Sequence, residues 1–367
     1  MSAREIHKTL SGRDYSGPEV YELERERIFH QQWFYVGRAE QVAAPGDALV
    51  HDVAGESILV VRGRDGELHG HYNVCRHRGA RLCEAGRSTV KGAIKCPYHA
   101  WSYAHDGTLI GTPNVAADEV DRSSLSLWPV AVDVWEGFLF VSLADDPEPL
   151  RDSLAGQTDG PLRFEGFGLG ELRIGARTVS EVPANWKILI ENYNECLHCP
   201  TVHPELVAIV PLYKTGSVVA PDRPQGGTRM SEGSNSFTYS GTSARPTLPG
   251  LCDADANTYY GAAIFPNMFI DITGTCAIAT TLVPQSASHT QVVSEYLFAP
   301  EEVARPGFEA ADVVEFSELV AQQDYDVCIR VQQGVSSKAF THGVLAEKDD
   351  LLHAFHERYL RVRDSER

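Results

Sequence analysis

The chain has 367 residues, more than one ordinary hydrophobic core accommodates, so two domains or one domain with an insertion are expected. Hydrophobic residues make up 43% and charged residues 22% of the sequence, as in ordinary globular proteins. The formal net charge of -18 disfavours nucleic acid and anionic membranes as partners, because phosphate contacts need clustered Lys and Arg; it suits a cationic substrate but is more commonly typical of cytoplasmic proteins.

The first residues, MSAREIHKTL, lack the apolar segment of a signal peptide, and no run approaches 18 apolar residues. We therefore expect a cytoplasmic protein that makes no membrane contact. In a reducing compartment, the eight cysteines are expected to be thiols or metal ligands rather than disulfides.

In the first half of the chain, the sequence pattern changes from helical to β-rich at about residue 46. Residues 18–33 have the helical spacing of apolar groups, with Pro18 near the start. From 46 to 145, short β-rich runs alternate with glycine-containing turns, among them Asp65-Gly66 and Asp106-Gly107. This pattern predicts a small antiparallel β domain.

The second half mixes helices and strands. Residues 183–212 read as an interrupted helix, 256–300 as strands, and 307–335 and 346–362 as helices. This order predicts an α+β domain in which helices pack against an antiparallel sheet. The segment from 221 to 249 is rich in Gly, Ser, Thr and Pro and is expected to be a long loop that could act as a lid.

Two short clusters in the β domain each supply one cysteine and one histidine: Cys75 with His77, and Cys96 with His99. A zinc finger usually groups its two cysteines together, whereas here each predicted hairpin tip carries one residue of each type. This order suits a Rieske 2Fe-2S centre, in which one iron takes both thiolates and the other both imidazoles. The opposing interpretation is a set of unrelated core cysteines and surface histidines.

These residues and their flanks, CRHRGARLCE and CPYHAWSY, closely resemble the Rieske domain family. Cys83 lies outside the ligand pattern and is interpreted as structural.

A second cluster lies in the segment NWKILIENYNECLHCPTVHPEL, which carries His198 and His203. On one continuous helix these residues would lie about 140° apart, so a shared metal requires a break. Pro200 can break the first helix and begin a second. The pattern of Glu195, His198 and His203 resembles the mononuclear iron motif of Rieske non-heme iron oxygenases. The resemblance implies both histidines as iron ligands, with a third, carboxylate ligand on a C-terminal helix.

The candidates for the third ligand are Asp324 and Asp326. Asp324 falls on the apolar stripe of its predicted helix, and Asp326 lies about 200° away on the polar side. Because a carboxylate on a buried stripe is costly unless it is paired or bound to metal, Asp324 is our prediction, with an ion-paired aspartate as the alternative. The stripe consists of Val313, Phe316, Val320, Val327 and Val331.

The resemblance also implies a role for Glu195. The family usually places an aspartate here, which couples the mononuclear iron to a Rieske histidine of the neighbouring subunit in a head-to-tail homotrimer. We therefore predict that Glu195 orients a ligand and couples electron or proton transfer, without binding metal directly. Cys196 and Cys199 form a CxxC that is interpreted as structural or pocket-lining, with a redox pair or half of a zinc knuckle as alternatives.

The chain has no GxGxxG fingerprint after a strand, since GFGLG at 166–170 lacks the spacing, and no plant-type ferredoxin cysteine run. Electrons are therefore expected from a separate NAD(P)H-dependent reductase, with or without a ferredoxin.

The resemblance thus implies an oxidoreductase with a 2Fe-2S Rieske cluster and a mononuclear Fe(II). We expect an N-terminal helical segment (1–40) that packs with the catalytic domain, a small antiparallel β Rieske domain (41–150), and a helix-grip, START-like α+β catalytic domain (151–367).

The family usually has aspartate at position 195, whereas this chain has glutamate. In this respect it resembles the branch that contains choline monooxygenase, glycine betaine and carnitine oxygenases and stachydrine demethylase. The expected reaction is therefore hydroxylation or oxidative N-demethylation of a quaternary ammonium compound. An aromatic cage is the natural receptor for such a cation, and the candidates, which could equally be core residues, are Tyr259, Tyr260, Phe265 and Phe269. Alternatives are hydroxylation or O-demethylation of an aromatic compound, a Rieske electron-transfer protein without oxygenase activity, and a START-like ligand-binding module with a vestigial Rieske domain.

Overall fold

The structure, a computed structural model, describes residues 7–116, 119–157, 160–218, 226–346 and 348–365. It divides into two compact units: the described parts of Met1–Ile28 and Leu154–Arg367 form one, and Phe29–Ser153 forms the other. Within the described ranges, no helix combines the length and the apolar character needed to cross a bilayer.

The regular elements are numbered in chain order. The strands are β1 (Phe34–Arg38), β2 (Asp47–Val53), β3 (Glu56–Arg62), β4 (Leu68–Tyr72), β5 (Gly86–Thr89), β6 (Ile94–Lys95), β7 (Ser102–Tyr103), β8 (Leu109–Gly111), β9 (Pro129–Trp135), β10 (Phe138–Ser142), β11 (Arg173–Val182), β12 (Thr228–Arg229), β13 (Thr258–Ile264), β14 (Met268–Ile272), β15 (Ala277–Ser286) and β16 (His289–Phe298). The helices are α1 (Gly12–Ser16), α2 (Pro18–Glu24), α3 (Leu150–Ala155), α4 (Trp186–Tyr193), α5 (Cys199–Val202), α6 (Pro204–Ile209), α7 (Pro300–Val303), α8 (Ala311–Val335) and α9 (Asp350–Asp364). A π-helical turn follows α2 at Arg25–Phe29, and short 3-10 helices lie at Ala39–Val42, Arg122–Ser124, Pro161–Phe164, Leu169–Glu171 and Pro211–Thr215.

The smaller unit is an antiparallel β structure. Its main sheet has the strand order β1-β10-β9-β4-β3-β2-β5, and β6, β7 and β8 form a second, three-stranded sheet. The predicted turns place Gly66 and Gly107 at positive φ, +88° and +86°, a conformation that glycine adopts without steric cost. The Cys75 and Cys96 side chains lie in the hydrophobic core between these sheets, together with Trp101.

The larger unit combines an antiparallel sheet with helices. The strand order β11-β16-β15-β14-β13-β12 makes a meander of β13 to β16 with β11 added at one edge. In β13 buried and half-buried residues alternate strictly, so one face of this strand packs into the core and the other, which carries Tyr259, is only partly covered. Helix α8 spans 25 residues and buries Val313, Phe316 and Cys328.

The predicted fold class is confirmed: a small antiparallel β domain is combined with an α+β domain built on an antiparallel sheet. The boundary between the units differs from the predicted domain range: the smaller unit begins at Phe29 rather than at residue 41. The reason is that β1 pairs with β10 and thereby joins the β domain. Val331, which was placed on the apolar stripe of α8, is 45% exposed.

The predicted loop from 221 to 249 falls partly outside the described residues, which exclude 221–225. Its remainder contains only the two-residue strand β12 as regular structure. Turns such as Gly241 N–H to Thr238 O, 2.9 Å, and Asn235 N–H to Gly241 O, 2.9 Å, hold the rest together. The lid role of this segment stays a prediction.

Candidate metal centres

Two short loops bring the four predicted cluster ligands together. In the first, Cys75 N–H donates to Ala80 O (2.9 Å) and Gly79 N–H donates to Cys75 O (3.0 Å). In the second, Cys96 N–H donates to Trp101 O (2.8 Å). These turns are closed by local backbone bonds, so residues only two or three apart along the chain can present their side chains to one point.

The thiols and the imidazoles of this site occupy different environments. Cys75 and Cys96 are 2% exposed, whereas His77 is exposed and its ring lies 4.6 Å from that of His99. Burial raises the pKa of the Cys75 thiol, and the neighbouring Cys96 thiol contributes in the same direction. Two buried thiols beside two more accessible imidazoles are the donor set of a Rieske cluster, so these residues fit the group.

The second centre depends on how α4, α5 and α6 follow one another. Helix α4 ends at Tyr193, seven residues before Pro200, so Pro200 does not cause the break. Pro200 does lie in the first turn of a second helix, α5. The decisive break is at His203, which has φ -122° and ψ 64° and separates α5 from α6. His198 caps the start of α5, so the two histidines lie at opposite ends of one helical turn and converge.

The imidazoles of His198 and His203 meet the carboxylate of Asp324, which α8 supplies. Asp324 Oδ1 lies 2.8 Å from His203 Nε2 and 3.3 Å from His198 Nε2. One donor atom from each of the three residues lies within 4.8 Å of the others. Asp326, the other candidate, is exposed and accepts a hydrogen bond from Gln322, 2.9 Å. Two imidazoles and one carboxylate in this geometry fit a non-heme Fe(II) triad.

The same contacts set the protonation of the three residues. Burial lowers the pKa of His198, but hydrogen bonds to Asp324 and Glu195 outweigh it and raise the pKa to about 9. Burial alone would raise the pKa of Asp324, and the two histidines together bring it below its usual range.

Each histidine also makes a hydrogen bond through its other ring nitrogen, Nδ1. His198 Nδ1 lies 2.5 Å from Glu195 Oε1, and His203 Nδ1 lies 2.8 Å from Gln323 Oε1. Gln323 in turn donates to Glu205, 3.1 Å. Contacts of this kind fix the ring orientation and the tautomer, so that both Nε2 atoms face Asp324.

A cavity of about 190 Å³ opens beside the triad. Its wall is mostly apolar and aromatic, with contributions from Tyr213, Phe237 and Phe316, and it includes all three triad residues. A concave, mostly apolar site with a few polar groups is the usual form of a small-molecule site.

The structure separates the four aromatic residues that were predicted to form a cage. Tyr259 and Phe269 line the cavity. Tyr260, one residue further along β13, points to the opposite face of the strand and packs against Phe164 and Phe167. Phe265 lies beyond the end of β13, where its ring packs 6.1 Å from Trp186.

Asp271 and Tyr193, which are absent from the residues predicted from the sequence, also line the cavity. The available signal was the strand MFIDI, in which a single carboxylate interrupts an otherwise apolar run.

Cys196 and Cys199 line the cavity as well and are joined by a disulfide, which corrects the expectation that every cysteine is a thiol or a metal ligand. The turn from Cys199 N–H to Cys196 O, 3.1 Å, brings their Cα atoms within 4.9 Å, a distance that a disulfide can bridge. Because this turn encloses His198, the disulfide braces the segment that carries a triad residue.

Two family models match the chain. The ring hydroxylating alpha subunit (catalytic domain) model matches residues 169–365, and the Rieske [2Fe-2S] domain model matches residues 32–131. The first covers the residues of the triad and the second covers the four cluster residues.

Several characterised proteins are similar to this chain. The glycine betaine monooxygenase oxygenase subunit of Chromohalobacter salexigens is 40% identical over 53% of this chain and 42% of its own length. The carnitine monooxygenase oxygenase subunit of Acinetobacter baumannii is 37% identical over 52% of this chain and 51% of its own length. The match thus spans about half the length of these curated relatives. The glycine betaine monooxygenase oxygenase subunit of Pseudomonas aeruginosa is 27% identical over 90% of this chain and 82% of its own length.

Among solved structures, the quaternary ammonium Rieske monooxygenase CntA superimposes with a TM-score of 0.80 at 24% identity. The superposition covers 98% of this chain and 96% of that one, so the two share a fold.

Proposed function

Because this chain belongs to the ring hydroxylating alpha subunit family, we propose that it is the oxygenase component of a Rieske non-heme iron monooxygenase. The substrate proposed is a small quaternary ammonium compound that is hydroxylated on an N-methyl group. The observation that carries the proposal is the triad of His198, His203 and Asp324 on the wall of a mostly apolar cavity. An electron-transfer protein has no use for such a cavity.

The donor atoms of these residues indicate which of the two metal groups each residue would hold. Cys75 and Cys96 would hold one iron of the cluster and His77 and His99 the other, while the triad would hold the mononuclear iron. When bound, the mononuclear iron supplies O2 activation and the cluster supplies electrons that a separate NAD(P)H-dependent reductase provides, directly or through a ferredoxin.

The protein's own contribution is orientation and exclusion of water. Glu195 accepts from His198 Nδ1–H and Gln323 from His203 Nδ1–H, so both Nε2 lone pairs face the metal position beside the cavity. We propose that Glu195 also couples this centre to the cluster of a neighbouring subunit in a homotrimer. The mostly apolar wall would offer water few hydrogen-bond partners beside the reacting C–H bond.

The substrate class rests on the relatives, which are named for glycine betaine and carnitine. The proposed net reaction inserts one oxygen atom of O2 into an N-methyl C–H bond, and two electrons and two protons reduce the other oxygen atom to water. The resulting N-hydroxymethyl group then leaves as formaldehyde, and the amine loses one methyl.

Iron content and formaldehyde release test this proposal together. We expect three irons per chain, a reduced Rieske signal in electron paramagnetic resonance, and formaldehyde from N-methyl compounds when reductase and NAD(P)H are supplied. An aromatic panel that consumes O2 while every N-methyl compound is inert would overturn the substrate class. Two irons per chain after anaerobic reconstitution with Fe(II), without O2 uptake, would overturn the oxygenase assignment.

A further inference from the structure

The cavity contains a second carboxylate besides that of the triad. Asp271 lies on β14, directly opposite Gly261 of β13 in the strand register. It is half-buried and lines the cavity. A carboxylate in such a place is costly unless hydrogen bonds or a cation offset its desolvation.

From the residues that the structure describes, Asp271 accepts hydrogen bonds through only one of its two carboxylate oxygens, Oδ1. The Tyr193 hydroxyl donates to Oδ1 at 2.8 Å and the Tyr259 hydroxyl donates to the same atom at 2.6 Å. No group in the described part of the chain donates to Oδ2. Gly261 makes this convergence possible, because a Cβ at that position would clash with both tyrosine hydroxyls.

Aromatic rings surround this carboxylate. Tyr193 and Phe269 stack with centroids 4.2 Å apart and an interplanar angle of 2°, and Phe237 lies 5.0 Å from Tyr259. All of these rings line the cavity. Aromatic faces attract an alkylated cation that cannot donate hydrogen bonds, and a nearby carboxylate adds a full negative charge.

The remaining charges of the cavity have the same sign. Besides the two triad histidines, its charged wall residues among those the structure describes are Glu195, Asp271, Glu318 and Asp324, with no Lys or Arg. Glu318 is occupied by hydroxyl donors, Thr178 at 2.8 Å and Tyr296 at 3.2 Å. With His198 and His203 reserved as metal ligands, the described cavity wall has no Lys or Arg that could pair with a carboxylate-bearing ligand.

We propose that Asp271, held by Tyr193 and Tyr259, is the anionic anchor of the substrate, and that the preferred substrate is an alkylammonium cation without a carboxylate group. This inference rests on the proposed function and narrows its substrate class, because glycine betaine and carnitine carry a carboxylate whereas choline does not. Asp271 is thereby a specificity-determining residue rather than a core aspartate.

Binding to the iron-loaded enzyme tests the proposal without requiring turnover. Isothermal titration calorimetry would compare choline, glycine betaine and 3,3-dimethyl-1-butanol, the neutral carbon analogue of choline, on the wild type and on Asp271→Asn. The carbonyl oxygen of the introduced amide can keep accepting from both tyrosines, so the fold is expected to survive, and circular dichroism checks it. The control is Asp326→Asn, which removes an exposed carboxylate from α8.

The expected result is that the wild type binds choline at least about 10-fold more tightly than either comparison compound, the usual scale for a desolvated charge pair. Asp271→Asn should lose that preference, and Asp326→Asn should keep it. Glycine betaine binding as tightly as choline, or an unchanged choline affinity in folded Asp271→Asn, would overturn the inference. The proposed function fails separately, through absent iron or absent oxidation, even if choline binds as expected.

Discussion

The two candidate centres are built on opposite principles. The cluster site draws its four ligands from two turns about 20 residues apart in one β unit, and its backbone contacts are local. The triad draws two histidines from the ends of one helical turn and an aspartate from a helix more than 100 residues later. Hydrogen bonds within each turn determine the geometry of the first site. The second site forms only once α8 has packed against α4 to α6.

The largest expected effect comes from removing one ligand of the long-range site. His203→Ala should lose the mononuclear iron and lower turnover by more than about 1,000-fold, since nothing else supplies O2 activation. Iron per chain should fall from three to two while the Rieske signal stays unchanged. Loss of the cluster as well would contradict the view that the two sites are built independently.

A smaller effect is expected from the contact behind His198. Glu195→Gln should keep both metals but reduce turnover by about 10- to 100-fold, the scale found for groups that orient metal ligands. Glu205→Gln is the matched control, because Glu205 acts one step further away through Gln323. Equal losses in both variants would show that Glu195 has no special coupling role.

The cavity wall gives the long-range site a pH dependence of its own. Burial raises the pKa of Asp271 to about 6, against the hydrogen bonds from Tyr259 and Tyr193. A cation binds the ionised carboxylate, so choline affinity should fall by up to about tenfold per unit as the pH drops below about 6. Burial raises the pKa values of the neighbouring Tyr193 and Tyr259 well above this range, so their ionisation does not mimic this limb. A flat profile in calorimetry from pH about 5 to about 8 would contradict it.

The smallest effect is expected at the local site. The Tyr103 hydroxyl lies 3.3 Å from Cys75 Sγ and would donate to it as a cluster thiolate. Because such a hydrogen bond favours the more electron-rich reduced cluster, Tyr103→Phe should lower its reduction potential by about 20–60 mV, equivalent to one ordinary hydrogen bond. Protein-film voltammetry measures the shift, and a potential that rises would contradict the assignment.

This contrast also explains what the sequence could reveal. The spacing of Cys75, His77, Cys96 and His99 identified a site whose geometry is set within each turn. Helical phase pointed to Asp324 because the charge stood on an apolar face. Neither kind of pattern could show that the chain breaks at His203 rather than at Pro200, since that depends on how α5 and α6 pack.

Strand alternation had a similar limit. The alternation places Tyr259 and Tyr260 on opposite faces of β13, but it does not show which of these two faces lines the cavity. Asp271 was readable only as an oddity in an apolar strand, because its partners Tyr193 and Tyr259 come from other elements.

The open Oδ2 of Asp271 bears on what happens after the chemistry. A quaternary ammonium has no proton to donate to that oxygen, but the N-demethylated amine, protonated at neutral pH, has one. The leaving molecule can therefore form a charge-assisted hydrogen bond that the arriving molecule cannot, and such bonds are among the strong ones. Under the proposed reaction the cavity would therefore hold its product in competition with fresh substrate, and accumulated amine is expected to inhibit the enzyme.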